Sequence, residues 1–313
     1  MNDLLESLTK GDVRALAKTI TKVEDRAPGS LEILRNVFLR SGKSRIIGIT
    51  GSPGSGKSTL VDKLALAYRE NDDPVGIVAV DPSSPFTGGA ILGDRIRMQA
   101  LESDPGVYVR SMATRGHLGG LAATTTDVVS VLDAAGKDPI IVETVGVGQD
   151  EIDIVKLADI SVVVLVPGMG DDIQALKAGI MEIGDIFVIN KCDRPGVEKM
   201  EKAIEAMLAL APRTDDFTPP IVKVTATTGA GINELISAIN ECQSHFKTQA
   251  VDTVRRREAT KVRLIKLLEE SFVRTVLKTS FSDQEFEDLV DAISRRDTDP
   301  YSVVQKLIND LNL

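Results

Sequence analysis

Cysteine, histidine and tryptophan are scarce in this 313-residue chain: two cysteines, two histidines and no tryptophan. Cys192 and Cys242 stand far apart with no CxxC pair, and His117 and His245 add too little for a zinc framework or a disulfide scaffold. A metal site built from carboxylates and hydroxyls is still open. Excess positive charge is also missing. With 37 basic against 46 acidic residues and a net charge of −9, the chain lacks the broad basic footprint that nucleic acid requires. No apolar run approaches the roughly 18 residues of a membrane span. The opening MNDLLESLTKGD has no basic stretch followed by an apolar one, so no secretion signal is read and a cytoplasmic protein is expected. What is present is an ordinary globular composition, 42% hydrophobic, enough for one sizeable core with appendages.

Residues 1–42 carry helical spacing (Val13, Leu16, Ile20, Val23; then Leu31, Leu34, Phe38) broken by APGS at Ala27 to Ser30, and read as an N-terminal helical extension. From Arg45 onward, apolar β-branched runs alternate with helical stretches: IIGIT at 46–50, VGIVAV at 75–80, VYV at 107–109, PIIVET at 139–144, ISVVVLV at 160–166, IFVIN at 186–190 and IVKVTA at 221–226. Such alternation predicts an α/β fold over 43–250, a mostly parallel sheet with helices on both faces. Ligands of open sheets sit beyond the carboxyl ends of the strands, where Gly51, Asp81, Glu143, Pro167 and Asn190 fall. After about 250 the strand signal ends and a helical C-terminal extension, 251–313, is expected, with polar breaks at 280–283 and 297–300.

The segment Gly51, Ser52, Pro53, Gly54, Ser55, Gly56, Lys57, Ser58 fits GxxxxGK[ST] between a predicted strand and a predicted helix. Glycines let backbone N–H groups close around phosphate oxygens, and the helix that begins near Lys57, Ser58 and Thr59 turns its positive end to the anion. Lys57 adds charge at the β/γ-phosphates, and the Ser58 hydroxyl suits Mg²⁺. A P-loop nucleoside triphosphatase follows. Asn190, Lys191, Cys192 and Asp193 form an NKxD run. The Asp193 carboxylate can accept from both N1–H and the 2-amino group of guanine, whereas adenine would leave it unpaired, a mismatch worth roughly 10⁴ in selectivity. The Lys191 stem can lie across the base, and Asn190 either ties loops together or reaches the base edge. Thr225, Ala226 and Thr227, in TATTGAGI, suit the last base-contacting loop, whose amides approach O6. GTP and GDP are the expected ligands.

Carboxylates near the phosphates complete the set. In ETVGVGQ, Glu143 fits the acid facing Mg²⁺ and Gly146 the N–H that senses the γ-phosphate, the alternative being that Glu143 merely caps the turn. Gln149 comes too late in that run to position water in the Ras-like manner. Asp81, Asp94 and Glu143 are the acids available to Mg²⁺; either aspartate could instead be a helix cap. Arg95, Arg97 and Arg115 are candidate charge stabilisers. In PGMGDDIQALKAG, Asp171 and Asp172 suit a helix start, and the segment carrying Lys177 reads alternatively as a third segment near the nucleotide.

With GSPGSGKSTL, VAVDPSSPFTGGAILGDRIRM, MATRGHLGGLA, ETVGVGQDE, PGMGDDIQALKAGI and NKCD in place, the chain resembles the MeaB/ArgK family of P-loop GTPases. The resemblance implies a G domain, Mg²⁺-dependent GTP hydrolysis and a homodimer that escorts an adenosylcobalamin-dependent acyl-CoA mutase, typically methylmalonyl-CoA mutase, gating cofactor loading and protecting or reactivating it. It matches Asp81, Asp94 and Glu143 to the Mg²⁺ and switch acids and Lys177 to a lysine of a mobile third switch. RGHLGGLA is marked by the resemblance alone. The C-terminus departs from the family's pattern in lacking tryptophan. Alternatives are a nickel metallochaperone GTPase and a kinase linked to amino-acid transport. In the C-terminal segment, Leu264, Ile265, Leu268, Phe272 and Val276 share one helical face, widened by Leu267, Val273 and Leu277. That breadth calls for a cover, and a second copy is the expected one, the alternative being that the face packs on the chain's own nucleotide domain.

Overall fold

The computed structural model describes residues 2–81, 101, 103–113, 120–144, 157–168, 184–210 and 217–310. Seven strands, β1 (Ile46–Gly51), β2 (Val75–Asp81), β3 (Val107–Ala113), β4 (Ile140–Thr144), β5 (Ile160–Leu165), β6 (Ile186–Ile189) and β7 (Ile221–Lys223), form one sheet in the order β3-β2-β4-β1-β5-β6-β7. Every pairing in it is parallel. All residues of β4 and β5 are buried, as expected of strands covered on both faces.

Alternation sends successive side chains to opposite faces. On one face Ile47, Ile49, Ile141, Val162 and Val164 meet α4 (Lys57–Arg69) and α7 (Ile232–Thr248) through Leu60, Leu64, Leu235 and Ile239. On the other, Val78, Val80, Ile140 and Val142 meet α5 (Gly120–Ala134) together with α1 (Asn2–Thr9), α2 (Val13–Glu24) and α3 (Ser30–Phe38). Farther along that face α6 (Val197–Leu210) packs Met200 and Ile204 on Val163, Phe187 and Ile189. The N-terminal helices are therefore part of the sheet's core. Leu8, Leu16, Ile20, Ile33 and Val37 are almost completely buried, each contributing about 1.5–3 kcal/mol of transfer free energy. Asp12 caps α2 by accepting from the Ala15 amide, and Glu24 at its far end pairs with Arg110 of β3.

Two strands differ in extent from the apolar runs that predict them. β3 continues to Ala113 because Glu24 satisfies the charge of Arg110, so a basic residue does not end the strand. β7 stops at Lys223 because the chain turns back on itself, Thr225 bridging Ala230 in antiparallel fashion.

The chain divides into two compact units, Met1–Ala259 and Thr260–Leu313. Helix α8 (Val251–Ser280) begins in the first, where Arg255 makes two hydrogen bonds to buried Asp185 and Arg256 pairs with Asp159. Those carboxylates also accept from the Ser161 and Ile46 amides, which fixes the start of α8 to the amino ends of β5, β6 and β1. The second unit holds the rest of α8, α9 (Asp283–Ser294) and α10 (Pro300–Asp310); Ser282 and Glu285 form a capping box at the start of α9. Among the described residues no helix is long and apolar enough to cross a membrane.

Candidate functional site

The phosphate loop leaves β1 at Gly51, and this position admits no other residue. Its φ is +143° and a Cβ there would lie 2.2 Å from the Val164 carbonyl oxygen of β5. At Gly56, immediately before α4, φ is +89° and a Cβ would come within 2.5 Å of the Asn190 side-chain nitrogen. These contacts set the loop between β1 and α4, whose first helical turn carries no acidic residue of its own, so the positive end of α4 faces the loop. Pro53 and Gly54 are exposed and Ser52 half-buried, whereas Ser55 and Lys57 are buried. Lys57 Nζ donates to the carbonyl oxygens of Gly51 (2.7 Å) and Ser52 (3.0 Å), so the cation is aimed back across the loop it would serve. Ser58 Oγ donates to Glu143 Oε1 at 2.7 Å, joining the first turn of α4 to the end of β4. Thr59 follows, half-buried.

The base side is built around Asn190, which follows β6. Its side-chain nitrogen donates to the Ser55 carbonyl (2.8 Å), while Oδ1 accepts from the amides of Lys191 (2.8 Å) and Ala226 (3.1 Å). One amide side chain thus ties the phosphate loop to the Thr225–Ala226 loop, which selects the loop-tying role of the two readings open to it. Lys191, at φ +59°, donates from Nζ to the Gly54 carbonyl at 2.7 Å, laying its stem from the base side onto the phosphate loop. Asp193 is exposed, as is Thr227, and Ala226 is buried. Burial pushes the Cys192 thiol up, so this cysteine is a packing residue between the base-side positions.

Asp81 ends β2 opposite Ala113, on the strand beside β4. Asp94, Gly146, Gln149 and Lys177 lie outside the described residues, as do Arg95, Arg97, Arg115, Asp171, Asp172 and the first five residues of RGHLGGLA. Ser58 and Glu143 offer a hydroxyl and a carboxylate, hard oxygen donors of the kind Mg²⁺ takes. No group of three or more His, Cys, Asp or Glu side chains converges as a metal site among the described residues. Sequence reasoning missed the hydroxyl pair Thr144–Thr50 below this site, 3.1 Å apart, which no local signal marks. Ser55, part of the predicted phosphate loop, has a buried hydroxyl without a hydrogen-bond partner among the described residues.

A model of the family described as methylmalonyl Co-A mutase-associated GTPase MeaB matches residues 16–280. The chain belongs to the MeaB family. It is a GTPase and binds guanine nucleotide, in keeping with its P-loop and NKCD run. A Pyrococcus abyssi protein that bears a GTPase name is 46% identical over 99% of this chain and 97% of its own length. GTPase ArgK of Escherichia coli is 33% identical over 90% of this chain and 87% of its own. The mouse mitochondrial protein named methylmalonic aciduria type A homolog is 32% identical over 86% of this chain and 69% of its own. Among solved structures, the LAO/AO transport system kinase superposes with a TM-score of 0.74 at 24% identity, covering 100% of this chain and 97% of that one, and shows the same fold.

Proposed function

We propose that this MeaB-family GTPase acts in the cytoplasm as a homodimeric chaperone of an adenosylcobalamin-dependent acyl-CoA mutase, with methylmalonyl-CoA mutase the first candidate, gating cofactor loading and protecting or reactivating that enzyme. The family match from 16 to 280 carries the reading, because it takes in most of α2 and all of α3 along with the nucleotide segments. In the hydrolytic cycle the loop amides from Gly51 to Ser58 and the amino end of α4 hold the phosphates, and Lys57 shifts its charge from the Gly51 and Ser52 carbonyls toward the β/γ-phosphates. Asp193 reads guanine, with Lys191 against the base and Thr225, Ala226 and Thr227 closing its far edge. Ser58, Asp81, Asp94 and Glu143 would hold Mg²⁺, directly or through water, and the ion would neutralise charge spread across the β- and γ-phosphates. Gly146 would sense the γ-phosphate, and Lys177 would supply the lysine that the family resemblance assigns near the nucleotide. No glutamine directly follows Gly146, so hydrolysis by the isolated protein is slow and the mutase completes the machinery.

The dimer reading rests on the second unit. No described side chain from Thr260 onward is buried, yet Leu264, Ile265, Leu268 and Phe272 stand 47–60% exposed, accompanied by Val290, Tyr301 and Val304. An apolar face this broad needs a cover. From 251 onward eleven basic residues nearly balance twelve acidic ones, so two copies meet with little net repulsion.

The test is to capture this chain from extract of its own cells with a non-hydrolysable GTP analogue and identify what copurifies. Recovery of a cobalamin-dependent mutase whose addition speeds GTP hydrolysis is expected; a purified mutase from the same cells that neither binds nor changes the rate would refute the proposal.

A further inference from the structure

We propose that Thr50 and Thr144 are positioning residues for GTP hydrolysis, acting through Glu143; this rests on the reading of Glu143 as a working member of the site. The β1–β4 ladder runs from Ile46 opposite Ile140 to Ile49 opposite Glu143. The two threonines are the next pair, at the point where β1 gives way to the phosphate loop and β4 to the segment containing Gly146. Thr144 Oγ1 donates to Thr50 Oγ1 at 3.1 Å, and both residues are almost fully buried.

Alternation along a strand places Thr144 on the sheet face opposite Glu143. The Glu143 carboxylate reaches Ser58 on the α4 side while the Thr144 hydroxyl grips β1 from the other side. The root of the phosphate loop is therefore held by two neighbours of different kinds. Toward β5, Gly51 packs too close to the Val164 carbonyl for any Cβ, which allows almost no lateral play. Toward β4, past the last ladder pair, the described side-chain link is the hydroxyl pair. Away from water such a bond has no competing partner, and removal of one hydroxyl strands the other.

β2 still pairs with β4 as far as Thr144, opposite Val80, so loss of the hydroxyl bond shifts the β4 end relative to β1 and moves the Glu143 carboxylate relative to Ser58 and the phosphates. A misplacement of about 1 Å in a reacting site can cost up to 10²-fold in rate, and a small shift is expected to cost about tenfold. GTP affinity should change far less than the rate, because no described hydrogen bond joins either threonine side chain to the loop amides or to the Asn190 to Asp193 run. That division separates positioning from general destabilisation.

The experiment compares Thr50→Val, Thr144→Val, the double variant and Thr144→Ser with wild type, with Glu143→Gln as a reference. It measures single-turnover GTP hydrolysis, affinity for a non-hydrolysable GTP analogue and the thermal midpoint. Each valine variant is expected to hydrolyse about tenfold more slowly with affinity within about twofold, serine to restore the rate, and the double variant to be no slower than either single one. Should a single variant fail to fold, the double variant strands no hydroxyl and still reports the rate. Full-rate hydrolysis by Thr144→Val, a rate loss matched by loss of affinity, or additive losses in the double variant would each overturn the inference. If Glu143→Gln is slow while Thr144→Val is fast, this inference alone fails; if Glu143→Gln keeps the full rate, the underlying site reading fails and takes this one with it.

Discussion

Replacement of Asn190 by alanine tests whether one side chain joins the two halves of the nucleotide site. In the native protein this amide donates to the Ser55 carbonyl and accepts from the Ala226 amide, and the side chain is 2% exposed. Truncation leaves that carbonyl and that N–H unpaired where water has little access, and each stranded group costs about 1–3 kcal/mol. The Lys191 amide, next to solvent, regains a partner. Because loops relax, the lower half of the range applies, and the expected loss is about 3 kcal/mol, or roughly 6–12 °C in the thermal midpoint. Asn190→Asp is the sharper variant. It keeps an acceptor for Ala226 but points a second oxygen at the Ser55 carbonyl, so it should be no more stable than alanine. Both should bind GDP at least tenfold more weakly, since ligand binding must now restore the order that the amide supplied. Thermal unfolding with and without GDP checks this, and a loss below about 0.5 kcal/mol in either variant would refute the claim that Asn190 carries the connection.

Asp193→Asn should exchange preference from guanosine to xanthosine triphosphate, an oxo group at C2 suiting the amide donor; equal affinity of wild type for ATP and GTP would contradict guanine reading by Asp193. Burial, opposed by Arg45 and reinforced by Asp73 and Asp138, pushes the Tyr68 phenol up from 10.0 to about 12. Its stabilising contribution is thus complete below pH 10 and lost as pH rises toward 12, about 3 kcal/mol in all, and Tyr68→Phe should flatten stability across that window alone. With three tyrosines and no tryptophan, tyrosinate absorbance reports the same ionisation directly. A chain ended after Ala259, which keeps Arg255 on Asp185, should bind GTP normally but run as a monomer in sedimentation; full dimerisation of that chain, or a monomeric full-length protein at micromolar concentration, would sink the dimer.

The sheet was readable in the sequence because its inner strands, such as β4 and β5, are buried on both faces and so read as apolar β-branched runs bounded by polar or glycine residues. Where a run was misjudged in length, a distant partner was responsible. Arg110 looks like a strand end until Glu24, 86 positions earlier, neutralises it, and the run IVKVTA looks continuous until Ala230 draws Thr225 into a turn. The site divides along the same line. The glycines, Lys57, Ser58 and the NKCD run announce themselves because phosphate and guanine impose residue types at fixed spacing within one loop. Asn190 was visible as a residue of the motif, but its tie to Ser55 crosses 135 positions, and the Thr144–Thr50 bond crosses 94. A threonine in a buried strand normally reads as a β-former of tolerable polarity, and nothing next to Thr50 or Thr144 alters that reading. Only the parallel β1–β4 register sets them side by side, so local spacing reveals the groups that touch the nucleotide while the fold must supply those that hold them still.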